Sequence, residues 1–516
     1  MRGLTLQKIA EVTEGTLHLS MLSPGGIFGT VDEDSLRRAQ HATKDAYERC
    51  SMMEVGSITT DSRKAGEGSL FGAIVGARVD GHDFIPSVYE QGALCVLSER
   101  VLGKQDLFRD TAGGNGTLVR PWIEVNDTQS ALQQIAREYL KVMKIPVVGI
   151  TGSVGKTSTK EMIAAVLSVK FNTLKTEGNF NNDLGLPLTV FRLRDEHEIA
   201  VLEMGVSHFG DMTRLARIAN PDIMVITNIG TCHLEFLKDR DGVFRAKTEV
   251  FSYVKQNGRV ILNGNDDKLR AVDDVHGIRP MFYGVDSDQE GAQDLGAGVK
   301  MEYPGELAAE QCVRVSDIQL QGFDGSVCTL HTPAGDLTVH VPIPGIHNAS
   351  NAAAAAAVGL ACGMTLDEIR RGIEGAQTIS GRFRIIKTDR MTVIDDCYNA
   401  NPVSMKSSVA VLEQGSGRRV AILGDMGELG EDEVQLHESV GAYSAGRVDH
   451  LVAVGALAKN LYEAARRENP ALSASWYATV DEFLAHKDEE LKDGDSVLVK
   501  ASHFMQFTRI VEELCL

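Results

Sequence analysis

The sequence predicts an α/β protein of three domains, and three observations carry that expectation. At 516 residues the chain exceeds what one hydrophobic core organises, and about three domains fit its length. Beyond residue 143, short apolar runs alternate with helical stretches, the pattern of a mostly parallel sheet covered by helices. One run, Val147-Val148-Gly149-Ile150, leads straight into Thr151-Gly152-Ser153-Val154-Gly155-Lys156-Thr157 and a helix-forming segment, the layout of a P-loop. The expected architecture is a central P-loop ATPase-like parallel sheet, a C-terminal Rossmann-like doubly wound domain and a smaller α/β N-terminal domain.

Taken in order, residues 1–142 mix short strands and helices. They end in a helix over 128–143, whose Leu132, Ile135, Ala136, Tyr139 and Leu140 follow the helical spacing. Residues 21–53 read as an insertion, with a charged helical stretch over 32–48 expected to be a solvated cover. Residues 111–117 (TAGGNGT) read as a turn-rich loop. Residues 143–379 hold strands over 147–150, 199–203, 223–228 and 259–263, an acidic, Gly-rich surface excursion over 286–298, and an alanine-rich, tightly packed helix over 348–362. Residues 380–516 repeat the alternation, with strands over 392–396, 420–424, 451–455 and 496–499.

A formal net charge of −19 argues against a nucleic-acid partner, whose binding is driven by cationic surface. The eight cysteines form no C-x-x-C pair, which suggests reduced thiols. The segment MRGLTLQKIAEVTEG lacks the apolar core of a signal peptide, and no run of about 18 apolar residues suggests a membrane span. The expected location is the cytoplasm.

The P-loop fixes the first piece of chemistry. Its backbone N–H groups point at a phosphate, Lys156 adds a point charge, and the Thr157 hydroxyl suits Mg²⁺. Ile150 stands where the strict pattern needs glycine, so the loop is a variant. Glu203 closes an apolar run and His233 follows another through a short turn, so both would emerge at strand ends, where open α/β sheets bind ligands. With a hydroxyl, a carboxylate and an imidazole, such a site suits a phosphate-bridging magnesium. Each residue also has a plainer reading: Glu203 as a capping or salt-bridged carboxylate, His233 as a surface histidine, Lys247 as a solvated helix lysine. Arg382, opening the third region, suits a charge on a transferring phosphoryl group or an interdomain salt bridge, and Asp396 at a strand end suits ribose hydroxyls. Lys160, on the helix after the loop, is expected to face solvent.

Taken together, these segments resemble the Mur ligases of peptidoglycan synthesis. The matching runs are TGSVGKTSTK, Glu177-Gly178-Asn179-Phe180-Asn181-Asn182, Glu203-Met204-Gly205, Asn228-Ile229-Gly230-x-x-His233, Ala246-Lys247-x-Glu249, Gly345-Ile346-His347-Asn348-x-x-Asn351 and Gly381-Arg382-Phe383. They span essentially the whole chain. Asp396-Cys397-Tyr398-Asn399-Ala400-Asn401-Pro402 and Leu423-Gly424-Asp425-Met426-x-Glu428-Leu429-Gly430 narrow the likeness, with Thr60-Asp61-Ser62-Arg63 in the first region.

The resemblance implies an ATP-dependent amide ligase, a monomer, adding D-alanyl-D-alanine to UDP-N-acetylmuramoyl-tripeptide through an acyl phosphate. It implies that residues 1–142 bind the UDP-muramoyl-peptide, 143–379 bind ATP, and 380–516 form the ligase domain that closes over the site. Thr151, Gly152, Ser153, Val154, Gly155, Lys156, Thr157 and Ser158 would hold the phosphates, Asn351 adenine, and Asp396 ribose. Thr157 and Glu203 would bind one Mg²⁺, with Glu203, His233 and a carbamylated Lys247 serving a second. Lys156 and Arg382 would stabilise moving negative charge. Ser62, Arg63, Asn179 and Asn182 would face the nucleotide-peptide, and Tyr398, Asn399 and Asn401 the dipeptide, although each Asn reads equally as a turn residue bonding its own backbone. His503 stands where the family commonly has Arg, and Val75 where lysine is common. Two other readings stay open: a sister ligase taking another amino acid or building folate polyglutamate, and a P-loop NTPase with a conformational task.

Overall fold

Every apolar run predicted beyond residue 143 forms a strand in the computed structural model, which describes residues 1–23, 28–38, 41–108, 117–286 and 312–516. Among the described residues there are three sheets. The central sheet has nine strands in the order Gly335–Val341, Ser326–Thr332, Cys312–Leu320, Met281–Val285, Arg259–Asn263, Ile223–Ile226, Val147–Thr151, Ile199–Glu203 and Thr173–Lys175. From Cys312–Leu320 through Val147–Thr151 neighbouring strands run parallel. The first three strands form an antiparallel meander that the apolar-run reading did not foresee. In Ser326–Thr332 and Gly335–Val341 burial nearly alternates residue by residue, as in a sheet edge wet on one face, so no continuous apolar run marks them.

The C-terminal sheet runs Arg384–Lys387, Thr392–Asp395, Ser496–Lys500, Arg419–Gly424, His450–Val454 and Ser473–Tyr477. Only its first pair is antiparallel. Along Arg419–Gly424, Val420 and Ile422 enter one apolar cluster while Ala421 and Leu423 enter the other. Helices thus cover both faces, as expected of a doubly wound fold. The N-terminal sheet runs Phe28–Val31, Thr16–Leu22, Leu118–Glu124, Cys95–Ser98, Ser69–Gly72 and Ser57–Thr59.

The 21–53 segment departs from the single solvated helix expected over 32–48. Phe28–Val31 pairs antiparallel with Thr16–Leu22. A 3₁₀ turn follows at Ser35–Arg38, then a helix at His41–Ser51. Asp32 accepts hydrogen bonds from the Ser35 hydroxyl and N–H, which hold its carboxyl below the usual range and cap the start of the 3₁₀ turn. Tyr47 is buried and its hydroxyl donates to Leu17 O at 3.2 Å, so the helix packs. Residues 111–116 and 287–298, read as loop and excursion, lie outside the described residues.

By compactness the described residues group into two units. One comprises Met1–Pro146, Leu174–Leu202 and Arg214–Asn220; the other Val147–Thr173, Glu203–Thr213 and Pro221–Leu516. The first is built around Trp122, Phe71, Ile85 and Val96. In the second, the alanine-rich helix Ile346–Ala361 and the helix Leu366–Glu374 both lie close to Lys156–Leu167, and a Cβ added at Gly372 on Leu366–Glu374 would fall 2.4 Å from Val166 Cα. Small residues let these helices approach until their backbones nearly touch. Among the described residues no helix is long and apolar enough to cross a membrane.

Candidate active site

The site grows from the loop after Val147–Thr151, a strand buried along its whole length. At Gly152 the chain passes so close to Thr227 that an added Cβ would sit 1.9 Å from its hydroxyl oxygen. Gly155 has φ of +80° and precedes Lys156–Leu167 without a side-chain cap, leaving the first N–H groups of that helix for an anion. Asn228 braces the loop from both sides: Val154 N–H donates to Asn228 Oδ1 at 2.9 Å, and Asn228 Nδ2 donates to Val154 O at 3.1 Å. The Thr227 hydroxyl adds a bond to Val154 O at 2.6 Å, and Gly230 N–H donates to Ser153 Oγ at 2.9 Å. Sequence reading took Asn228 only as part of a motif; its place two residues beyond a strand that pairs with the loop strand is the signal for a brace. Gly152→Ala is expected to lower stability by about 1–3 kcal/mol and to weaken ADP binding, because the new methyl must displace the Thr227 side chain. Thermal unfolding and calorimetry check both.

On the first turn of the helix, Thr157 and Lys160 share a face, and both meet Glu203. Thr157 Oγ1 donates to Glu203 Oε1 at 3.2 Å. Lys160 Nζ lies 3.5 Å from Glu203 Oε2 and 3.1 Å from Glu161 Oε1. Lys160 is fully buried, which corrects the expectation that it faces solvent. Its spacing of three from Thr157 turns it inward onto the strand end that carries Glu203. Glu203 ends its strand as predicted and is 1% exposed.

Lys156 folds back over its loop, donating to Gly152 O at 2.9 Å and, more weakly, to Ser153 O at 3.4 Å. His233 takes up a left-handed backbone (φ +52°), and its Nδ1 lies 2.8 Å from Glu428 Oε2. Burial holds its imidazole below the ordinary range against the pull of Glu428, and the charges of Lys247 and Lys156 act the same way as burial. Lys247 sits on the helix Arg240–Thr248 and is 1% exposed, not on a solvated face. Burial pushes its ammonium down to about 8; Cys232 opposes this and Lys156 adds to it. Among the described residues, no three His, Cys, Asp or Glu side chains converge as a metal cage. The donors that fit Mg²⁺ are the adjacent Thr157 hydroxyl and Glu203 carboxylate oxygens, hard ligands of the type that ion takes.

Asn351 sits at the base of the loop helix, accepting from Thr159 Oγ1 at 2.8 Å and donating to Asn348 Oδ1 at 2.9 Å. Arg382 lays its guanidinium 4.1 Å over the Tyr398 ring, and the ring of His503 lies 5.5 Å from the same tyrosine. The backbone around Arg382 is pinned: Gly381 N–H donates to Asp395 Oδ2 at 2.7 Å and Phe383 N–H to Asp396 Oδ1 at 3.2 Å. Asp396 Oδ2 also accepts from Lys500 Nζ at 2.6 Å and Ser408 Oγ at 2.7 Å, so this carboxylate is a structural hub. Lys500 is buried, and its place in the run Lys500-Ala501-Ser502-His503 gave it no role until its pairing with Asp396 was seen. Asn401 caps the helix Pro402–Leu412 through Ser404 N–H, and Asn399 bonds the adjacent Ala400 N–H, as turn residues do.

In the other unit, Ser62 and Arg63 lie on a 3₁₀ turn where the exposed Arg63 forms a two-pronged pair with Asp61 at 2.9 Å. Asn179 is exposed, and Asn182 Oδ1 accepts from Gly185 N–H at 2.8 Å. Val75 is exposed.

Three family models match the chain: the Mur ligase family catalytic domain over 54–140, the Mur ligase middle domain over 150–359, and the Mur ligase glutamate ligase domain over 381–503. A protein of Bacillus subtilis named UDP-N-acetylmuramoyl-tripeptide–D-alanyl-D-alanine ligase is 35% identical over 466 residues, 89% of this chain and 93% of that one. Its Escherichia coli namesake is 35% identical over 401 residues, covering 77% and 81%. The solved structure of MurF from Acinetobacter baumannii is similar at a TM-score of 0.79 and 31% identity, covering 99% and 98%. That of MurF from Thermotoga maritima in complex with ADP reaches 0.71 at 28% identity, covering 89% and 96%.

Proposed function

The chain belongs to the Mur ligase family, and from that membership we propose that it joins D-alanyl-D-alanine to UDP-N-acetylmuramoyl-tripeptide while ATP is cleaved to ADP and phosphate. The observation that supports it most is the P-loop set against the buried Thr157–Glu203 pair at a strand end, with Lys247 buried on the helix Arg240–Thr248. In this reading residues 1–142 take the nucleotide-peptide through Ser62 and Arg63, residues 143–379 take ATP, and residues 380–516 supply Arg382 and the dipeptide contacts. The enzyme works in the cytoplasm as a monomer.

The tripeptide's terminal carboxylate attacks the γ-phosphorus, giving an acyl phosphate and ADP. The free amine of D-alanyl-D-alanine then attacks the acyl carbon, and the tetrahedral intermediate expels phosphate. Lys156 and Arg382 meet the negative charge as it moves, held by loops already braced before substrate arrives. Thr157 and Glu203 would hold one Mg²⁺, and Glu203, His233 and Lys247, once carbamylated, would serve a second; bound there, the ions would supply charge neutralisation on the phosphates. Asn351 contacts adenine. Asp396, with capacity left on Oδ1, takes a ribose hydroxyl.

The test is phosphate release with ATP, Mg²⁺ and UDP-N-acetylmuramoyl-tripeptide, with and without the dipeptide, using tripeptides ending in lysine or in diaminopimelate. Release that requires the dipeptide, with a matching mass gain on the nucleotide-peptide, is expected and names the third residue. Release without it would point to an NTPase, and silence to a sister ligase with another amine.

A further inference from the structure

Resting on the magnesium reading above, we infer that Lys160 is a positioning residue that fixes how Glu203 meets its cation and so sets a preference for Mg²⁺ over Ca²⁺. The two oxygens of the Glu203 carboxylate have different neighbours. Oε1 is 3.2 Å from the Thr157 hydroxyl, while Oε2 is 3.5 Å from the Lys160 ammonium. Leu202 and Met204 on either side are fully buried, as is the helix face carrying Lys160, so the carboxylate has little room to turn. A fully buried ammonium is rare unless it is paired, and here one cation serves two carboxylates, Glu203 and Glu161.

The arrangement matters because the two cations ask different things of a carboxylate. Mg²⁺ demands a tight octahedron at about 2.0–2.1 Å and is bound through one or two carboxylates with several waters kept. Ca²⁺ takes six to eight oxygens at about 2.3–2.6 Å and readily grips both oxygens of one carboxylate. With Oε2 facing an ammonium, Glu203 offers the cation one oxygen, Oε1, next to the Thr157 hydroxyl. That suits the smaller ion and denies the larger one its two-oxygen grip.

The experiment is calorimetric titration of ADP into the full chain with Mg²⁺, with Ca²⁺, and with a chelator, alongside thermal unfolding of each metal-free variant. Wild type is expected to bind ADP more tightly with Mg²⁺ than with Ca²⁺. In Lys160→Met the ratio of the two affinities is expected to fall by about tenfold. Glu161→Gln, which leaves Lys160 against Glu203, is expected to keep the wild-type ratio. Should Lys160→Met fail to fold, Lys160→Gln removes the charge while keeping a donor, and carries the same expectation. An unchanged ratio, or equal weakening with both cations, overturns the inference and leaves Lys160 a structural lysine. Wild-type affinity that is the same with either cation and with chelator would instead overturn the magnesium reading, and the inference with it.

Discussion

Lys247→Ala is expected to lose turnover by on the order of 10³-fold, and a short carboxylic acid such as formate or acetate should restore part of it. The side chain is buried on its helix, and its ammonium is pushed down to about 8. At pH 7.5 roughly a quarter of such amines are neutral, against about a thousandth at the ordinary lysine value. Only the neutral amine captures CO₂, and the product is an anionic oxygen ligand of the kind Mg²⁺ takes. The sign of the pH effect follows. At limiting CO₂, activity should rise as pH climbs through about 8, and added bicarbonate should flatten that rise. Steady-state rates of the variant with and without the acid, and of wild type across pH, check the argument. Full activity of Lys247→Ala without added acid would remove the carbamate from the mechanism.

Lys156→Ala should lower turnover by on the order of 10²–10³-fold while leaving the fold in place. The ammonium is partly exposed, and its bonds in this structure go to two carbonyls of its own loop. Losing them should change stability by no more than about 0.5 kcal/mol, the range for surface substitutions. The bracing by Thr227 and Asn228 does not involve the lysine, so the loop should keep its shape. The expected signature is therefore an unshifted melting temperature with weakened ADP binding and nearly absent phosphate release. A large drop in melting temperature would mean that Lys156 holds the loop together rather than meeting phosphate.

How much of this was legible in the sequence depends on distance along the chain. The P-loop, the strand ending in Glu203 and the doubly wound C-terminal sheet were readable, because apolar runs and glycine punctuation act over a few residues. The antiparallel meander at 312–341 was not, since half-wet strands alternate and leave no run. Lys160 was misread because a helix shows its periodicity but not which face a neighbouring strand will cover. The pairings of Lys500 and Glu428 were not legible for a related reason. Their partners, Asp396 and His233, lie 104 and 195 residues away (500 − 396 and 428 − 233), and nothing local marks the pairing. Asn182 and Asn401 show the reverse: their turn chemistry is local, and the structure displays it.

The clamp on either side of Arg382 has a kinetic consequence. With Gly381 and Phe383 tied by their N–H groups to Asp395 and Asp396, the arginine cannot reach a new place by remodelling its backbone. What remains free is the side chain, parked on Tyr398 by a contact of about 0.5–1 kcal/mol. Lifting off an aromatic ring at that cost is a rotamer hop, completed in picoseconds to nanoseconds. Turnover at ordinary enzyme rates is slower by several orders of magnitude. In the role proposed for Arg382, this side-chain hop is therefore far faster than turnover and is not expected to limit it.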